Sequence, residues 1–291
     1  MILTKIELEL CELGDKMKFK LDDDEVAKVM SAMSSTTADF YDAEMVMIMF
    51  MTDRKVMKKL VPKPLKPSPV PLVSVFFAKY PRTNFGSVYN EAAMGLAVDF
   101  KGEQGSYCLT MPVTEDMALI LGREIYGYPK KIADEISLNK TKDGLNCRYV
   151  RRGTELLKLS MPFEKEMDSK ELVEMLGRLT MQELDKEEWD VSSFNFKYFP
   201  SPTLTGFDYK PRLIKQVTTF RPVGKMQVSE TFELDLKSSE VDQLGIIPFS
   251  KPLIGFYGIF NNSMHAGEVV AEADEEKFMP YAYSKVDYMP Q

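Results

Sequence analysis

The sequence predicts an α+β fold that is mainly β, organised as one domain around a large curved or closed antiparallel sheet with flanking helices. Two observations predict it. About a dozen segments carry the period-two or short apolar pattern of strands, against about four with helical spacing. Strands and helices also fail to alternate regularly, which argues against parallel βα units.

The elements follow in order. Ile2, Thr4, Ile6, Leu8 and Leu10 alternate with charged residues, as in a half-buried strand. Asp22 and Asp23 can cap a helix whose apolar positions Val26, Val29, Met30 and Met33 share one face. Met45 to Met51 reads as a core strand, and a short helix from Thr52 stops at Pro62 and Pro64. Prolines at 64, 67, 69 and 71 suggest a stiff surface loop, because strand pattern resumes at once. Leu72 to Ala78, Gly86 to Phe100 and Tyr107 to Val113 are the next strands. Thr114, Glu115 and Asp116 open a helix carrying Met117, Leu121, Glu124 and Ile125, which Gly127 and Pro129 end. Strands are expected at Lys131 to Leu138, Leu145 to Val150 and Glu155 to Met161, the last two joined by a turn at Arg152-Gly153. Ser169 to Leu184 has a helical stripe of Leu172, Val173, Leu176 and Leu179. The remaining strands are Phe194 to Phe199, Leu213 to Phe220, Met226 to Leu236, Leu253 to Phe260 and Gly267 to Ala273.

Composition narrows the chemistry. With one His (His265) and three scattered Cys in 291 residues, no His-rich zinc site or four-Cys cluster can form. His265 sits in a turn-like stretch and reads as a loop residue rather than a catalyst. The glycines never take the spacing that cradles phosphates. A net charge of -7 argues against nucleic acid as a partner. The longest clean apolar run has seven residues, Met45 to Met51, so no membrane span is expected. Without a signal-peptide pattern or a disulfide framework, a soluble cytoplasmic protein is expected.

One segment stands apart: Leu121-Gly-Arg-Glu-Ile-Tyr-Gly-Tyr-Pro-Lys-Lys-Ile132. Two adjacent lysines are ordinarily a solvated pair. Here they follow a helix end and lead into an apolar strand, which points neighbouring side chains to opposite faces. One lysine then faces inward if the strand lines a cavity. An amine in an apolar cavity is poorly solvated as a cation, which favours the neutral nucleophile. Such an amine can form a Schiff base with a ketone, and the protonated imine is an electron sink.

The stretch from Gly122-Arg123-Glu124 through Tyr128-Pro129-Lys130-Lys131 closely resembles the active-site segment of acetoacetate decarboxylases. Val61-Pro62-Lys63-Pro64-Leu65, Pro71-Leu72-Val73 and Tyr89-Asn90-Glu91 fall at that family's spacing, and Pro211-Arg212-Leu213-Ile214 matches more weakly. The likeness runs from Phe40 to Ala273, leaving about the first 35 residues as an addition. It implies a closed, double-layered β-barrel or cone enclosing the site. It also implies that Lys130 is the Schiff-base nucleophile, Lys131 its basic neighbour, Glu91 a pocket carboxylate and Tyr128 part of the wall. The substrate it implies is a small β-keto acid, with no metal or organic cofactor, and the protein a homo-oligomer.

Two positions depart from the family. Ala43 stands where the decarboxylases carry an arginine that meets the substrate carboxylate, and Phe76 stands where they carry a second glutamate. A larger or less anionic substrate is expected, unless Arg82 or Arg123 substitutes. Decarboxylation of a β-keto acid is the leading expectation. Its rivals are a Schiff-base aldolase or dehydratase and a non-catalytic barrel binding an apolar ligand.

Overall fold

The computed structural model describes residues 20–35, 37–180, 188–203 and 205–287. The chain divides into two units, residues 1–37 and 38–291. In the first, helix α1 (Asp23–Ser35) opens with a capping box. Asp22 accepts from the Glu25 N–H at 2.9 Å while Glu25 accepts from the Asp22 N–H at 3.0 Å. The strand expected at Ile2 to Leu10 lies outside the described residues.

The second unit is built on a closed barrel of seven strands. They are β1 (Ala38–Met51), β3 (Leu72–Tyr80), β5 (Tyr89–Phe100), β6 (Glu103–Val113), β12 (Trp189–Lys197), β13 (Arg212–Ser229) and β15 (Lys251–Met264). The order is β5-β3-β1-β15-β13-β12-β6, and a β5–β6 pairing closes the ring. Short strands β2 (Lys66–Pro67), β4 (Arg82–Thr83), β7 (Lys130–Ile132), β11 (Lys165–Met167) and β16 (Glu268–Glu272) extend it. A second sheet, β14-β10-β9-β8, is formed by β8 (Glu135–Lys140), β9 (Gly144–Arg151), β10 (Thr154–Pro162) and β14 (Glu233–Leu236).

Strand alternation sorts the apolar residues into two cores. Along β1, Val46, Ile48 and Phe50 join Val73, Val75 and Phe77 of β3 and Leu138, Cys147 and Leu159 of the second sheet. The other face of β1, with Ala43, Met45, Met47 and Met49, joins Phe76, Ala78, Phe256 and Phe260 inside the barrel. The helix after β11, α4 (Ser169–Thr180), adds Leu172, Val173 and Leu176 to that inner core. The double-layered barrel expected from the family likeness is therefore present.

One joint of the barrel is unlike the others. β12 meets β6 in parallel through a single bridge, Ser193 with Ser106. Past that bridge β6 takes β7 as its parallel partner instead, from Met111 opposite Lys130 to Val113 opposite Ile132. The wall forks here, and the helix α3 (Asp116–Tyr126) with its following loop fills the fork.

Several expected boundaries move. The strand expected over Lys131 to Leu138 is two strands in two sheets, because the chain turns at Ala133-Asp134 to leave the barrel for the second layer. Leu213 to Phe220 and the start of Met226 to Leu236 are one long strand, with a register shift between Val223 and Gln227 absorbing Pro222 and Gly224. The proline loop contributes β2, which pairs with β5. Helix α3 buries Ala118 and Gly122, while Met117 and Ile125 of its expected apolar stripe are exposed. Helix α4 is described only to Thr180. Helices α2 (Arg54–Leu60) and α5 (Glu275–Ala282) complete the unit, the latter followed by a 3-10 turn over Tyr283–Val286. Neither α5 nor that turn was expected, since Pro280 interrupts the helical pattern.

Candidate active site

Helix α3 and its exit place the site. Glu115 caps the helix by accepting from the Ala118 N–H at 2.8 Å. Gly127 closes it in the left-handed conformation, φ 79°, where its N–H returns to the last turn. A side chain at Gly127 would strike the backbone of Phe196 and Lys197, so the loop crosses β12 at the closest approach glycine permits. Pro129 then lets the Lys130 N–H bond the Tyr128 carbonyl at 2.8 Å, a tight turn that leads directly into β7.

Because β7 alternates, its two lysines part. Lys130 lies opposite Met111, whose side chain faces the barrel interior, and Lys131 lies opposite Pro112 on the outer face. The Lys130 amine donates to Glu91 Oε2 at 2.5 Å, with the two side chains 8% and 6% exposed. The amine also lies 5.4 Å from the centre of the Tyr89 ring. Gly122 makes room for the lysine stem: a Cβ there would stand 2.5 Å from Lys130 Cε. Arg123 reaches the Lys130 carbonyl at 3.4 Å, holding the strand rather than the amine.

The walls around this pair are apolar and aromatic. Ala93, Cys108, Met111 and Tyr128 form a buried cluster against which Phe76, Tyr126 and Met264 pack. Phe76 is opposite Ala93 and Ala78 opposite Glu91, so Phe76 and Glu91 share the inner face. The Tyr128 hydroxyl donates to Gln216 Oε1 at 2.8 Å. Burial, reinforced by the Glu91 carboxylate, pushes the phenols of Tyr80 and Tyr89 well above their usual range. The Cys108 thiol is pushed up by the same two causes, and the nearby Lys130 only partly offsets them. Neutral thiol and neutral phenols leave Lys130 and Glu91 to do the ionic work of this pocket.

Lys131 belongs to a different cluster. Its amine contacts Asp242 at 2.7 Å, Asp287 at 2.8 Å and the Val241 carbonyl at 3.3 Å. Arg151 pairs with the same two carboxylates, at 2.6 Å for Asp242. Burial opposes ionisation of Asp287, yet hydrogen bonds from Arg151 and Lys131 hold its carboxyl below the usual range.

The structure thus brings together Lys130, Glu91, Tyr128 and Phe76 of the residues read from sequence, and sets Lys131 and Arg123 to hold β7. Ala43 is fully buried on the inner face of β1. Arg82 is on the surface, paired with Asp42 at 3.3 Å. His265 follows the end of β15 and shares a hydrogen bond with the Thr219 hydroxyl at 2.9 Å. Gln216, Asp242, Arg151 and Asp287 were not anticipated. Each sits far from the lysine motif in sequence, and only pairing and packing bring them to it. Among the described residues no group of three His, Cys, Asp or Glu is placed to hold a metal, and no helix is long and apolar enough to cross a membrane.

Comparison with known proteins follows the same lines. The family profile described as acetoacetate decarboxylase (ADC) matches residues 26–273. Over 266 residues the chain is 25% identical to the CLA biosynthesis isomerase of Lactiplantibacillus plantarum, covering 88% of this chain and 92% of that protein. It is 38% identical to acetoacetate decarboxylase 1 of Bradyrhizobium diazoefficiens over 95 residues, 32% of this chain and 37% of the relative. The crystal structure of acetoacetate decarboxylase from Legionella pneumophila shares the fold, with a TM-score of 0.70 at 20% identity, covering 81% of this chain and 88% of that one.

Proposed function

Because this chain belongs to the acetoacetate decarboxylase family, a family of enzymes, we propose that it is a Schiff-base enzyme acting on the ketone of a small-molecule keto acid. Lys130 is the nucleophile and Glu91 the proton carrier. The observation that carries this reading is the 2.5 Å contact between two buried side chains of opposite type inside an apolar barrel. One proton shared across such a contact leaves the amine able to attack when the carboxylate takes it.

In the proposed reaction the Lys130 amine adds to the ketone carbon, and Glu91 returns a proton so that water leaves. The iminium nitrogen then takes up an electron pair from the neighbouring carbon. With a β-keto acid the pair comes from the bond to the carboxylate, carbon dioxide departs and the resulting enamine is protonated at carbon. Water hydrolyses the imine and frees Lys130. Tyr128 and Phe76 wall the pocket, while Arg123 and Lys131 position β7 from outside it.

A second reading of the same enamine is favoured by Ala43 and Phe76, which leave the inner face without the arginine and second glutamate of the decarboxylases. If the leaving group is a proton, Glu91 removes it from the carbon next to the iminium and it returns two carbons away, shifting a double bond. The isomerase similar to this chain over most of its length supports including that outcome. Self-association is part of the proposal, since α3 leaves Met117, Ile120 and Ile125 exposed.

Borohydride trapping tests the core of it. The protein is incubated with acetoacetate or with a β,γ-unsaturated ketone, reduced, digested and mapped by mass. The expected adduct falls on Lys130 and vanishes in Lys130→Ala, while Glu91→Gln slows turnover by about 100-fold or more. Released carbon dioxide or a conjugated enone then identifies the outcome. No adduct with any ketone of the panel would sink both readings.

A further inference from the structure

The fork in the barrel wall holds a second polar cavity. A small cleft, partly open to solvent, lies where β6, β12, the Gly127–Pro129 loop and the turn after α5 meet. Two of its lining groups are poorly provided for. Both amide atoms of Asn195 lack a hydrogen-bond partner, although the residue is 1% exposed. Lys285 is 6% exposed, and its amine reaches only the Gly127 carbonyl, at 3.4 Å, and the face of Tyr198, 4.5 Å from the ring centre. Among the described residues no carboxylate pairs with it.

Buried polar groups in folded proteins are ordinarily satisfied, and buried charges paired. Two exceptions lining one cavity call for a common occupant. Water can satisfy the amide, but it does not counter the charge the amine carries when protonated. An anion with two acceptor oxygens does both: one oxygen accepts from the lysine amine and the other from the Asn195 amide nitrogen. The walls, Phe196, Tyr198 and Phe278 among them, are aromatic and suit a flat group. We propose that the fork cleft is a binding site for a small organic carboxylate, held by Lys285 and Asn195. This inference does not rest on the chemistry proposed for Lys130. The ligand is either the acid end of the enzyme's own substrate or a separate acid, and the chemistry of recognition is the same.

Burial, together with the positive charges of Arg123 on α3 and Lys197 on β12, holds the Lys285 amine down to about 7. The other titratable groups facing it are Tyr198 just after β12, Tyr107 and Cys108 on β6, and Tyr281 on α5. Burial pushes Tyr107, Cys108 and Tyr198 upward, so these three stay neutral in the range where Lys285 titrates. A carboxylate therefore binds the protonated amine, and its apparent affinity falls about tenfold for each pH unit above 7.

The probe is propionate, which has no ketone and cannot form an imine. Titrated into the full chain at pH 6.5 in two buffers of different ionisation enthalpy, it is expected to bind saturably with uptake of about a quarter of a proton, since an amine that titrates at about 7 is already mostly protonated there. Lys285→Met and the isosteric Asn195→Asp, whose new carboxylate pairs with the lysine, are each expected to weaken binding at least tenfold. Thermal melts confirm that both variants fold, and Lys130→Met is expected to bind as before. Propionate that slows borohydride trapping of ketone at Lys130 marks the site as the substrate's own acid pocket. Propionate that leaves trapping unchanged marks it as a site for a separate acid. No saturable binding, binding unchanged in both fork variants, or binding lost in Lys130→Met overturns the proposal.

Discussion

At Gly122 a single missing methyl group decides where an amine points. The glycine sits on the face of α3 that the Lys130 stem crosses, and a Cβ there would meet Lys130 Cε at 2.5 Å and Cδ at 2.7 Å. Those atoms belong to the far end of a long side chain, which can swing aside at little cost to the fold. What it loses by swinging is the contact with Glu91. Gly122→Ala is therefore expected to keep a melting temperature close to that of the parent while capture of a ketone at Lys130 drops at least tenfold. A variant that melts normally and is trapped at the parental rate would show that the stem is free to relocate. The same residue illustrates what sequence reading reaches. The Tyr128-Pro129-Lys130-Lys131 motif identified the lysines, and strand alternation implied that only one turns inward. Which one does so depends on the pairing of β7 with β6, and no local pattern specifies it. Glu91 illustrates the limit. Its own neighbourhood reads as an edge-strand carboxylate, and only the spacing shared with a family singled it out.

At the scale of elements, β7 is three residues long and has to be held from outside. Lys131, Arg151, Asp242 and Asp287 do this, tying β7 to the second sheet and to the chain after α5. Breaking a buried charge pair by removing one partner costs about 3–5 kcal/mol, because the remaining charges stay buried. Lys131→Met is expected to lower unfolding free energy in denaturant by that order. The pH dependence has a definite sign. Asp287 is held below its unfolded value, so its contribution is present above about pH 4 and is lost as pH falls through the lower, folded value. Acid unfolding followed by circular dichroism is expected to begin at higher pH in the variant than in the parent. Long strands and capped helices were the legible elements. The strand expected over Lys131 to Leu138 divides because two sheets compete for it, and the turn carrying Lys285 went unseen because Pro280 hides the helix before it. The clusters built from such segments were hidden with them.

For the whole molecule, mainly-β composition and the absence of βα alternation were enough to expect a curved or closed sheet, and the family likeness supplied the second layer. Neither revealed the fork, which follows from one parallel bridge where antiparallel pairing would otherwise continue. Residues 38–291 hold the barrel, the second sheet and the site. We propose that they are one folding unit, with residues 1–37 an addition. A chain beginning at residue 38 is expected to unfold in a single cooperative transition and to retain the Lys130 adduct. Loss of either would make the first 37 residues part of the domain.

The alternation along β1 and β3 carries a consequence for how such a chain can diversify. Val46, Ile48, Phe50, Val75 and Phe77 face the layer between the sheets, whereas Met47, Met49 and Phe76 look into the barrel where the amine waits. A change at one of the inward positions reshapes what the pocket accepts and leaves the packing between layers intact. A change at an outward one alters robustness and leaves the pocket alone. Selection can therefore explore new substrates and new tolerance to heat along the same strands almost independently, the two histories recorded on alternate residues.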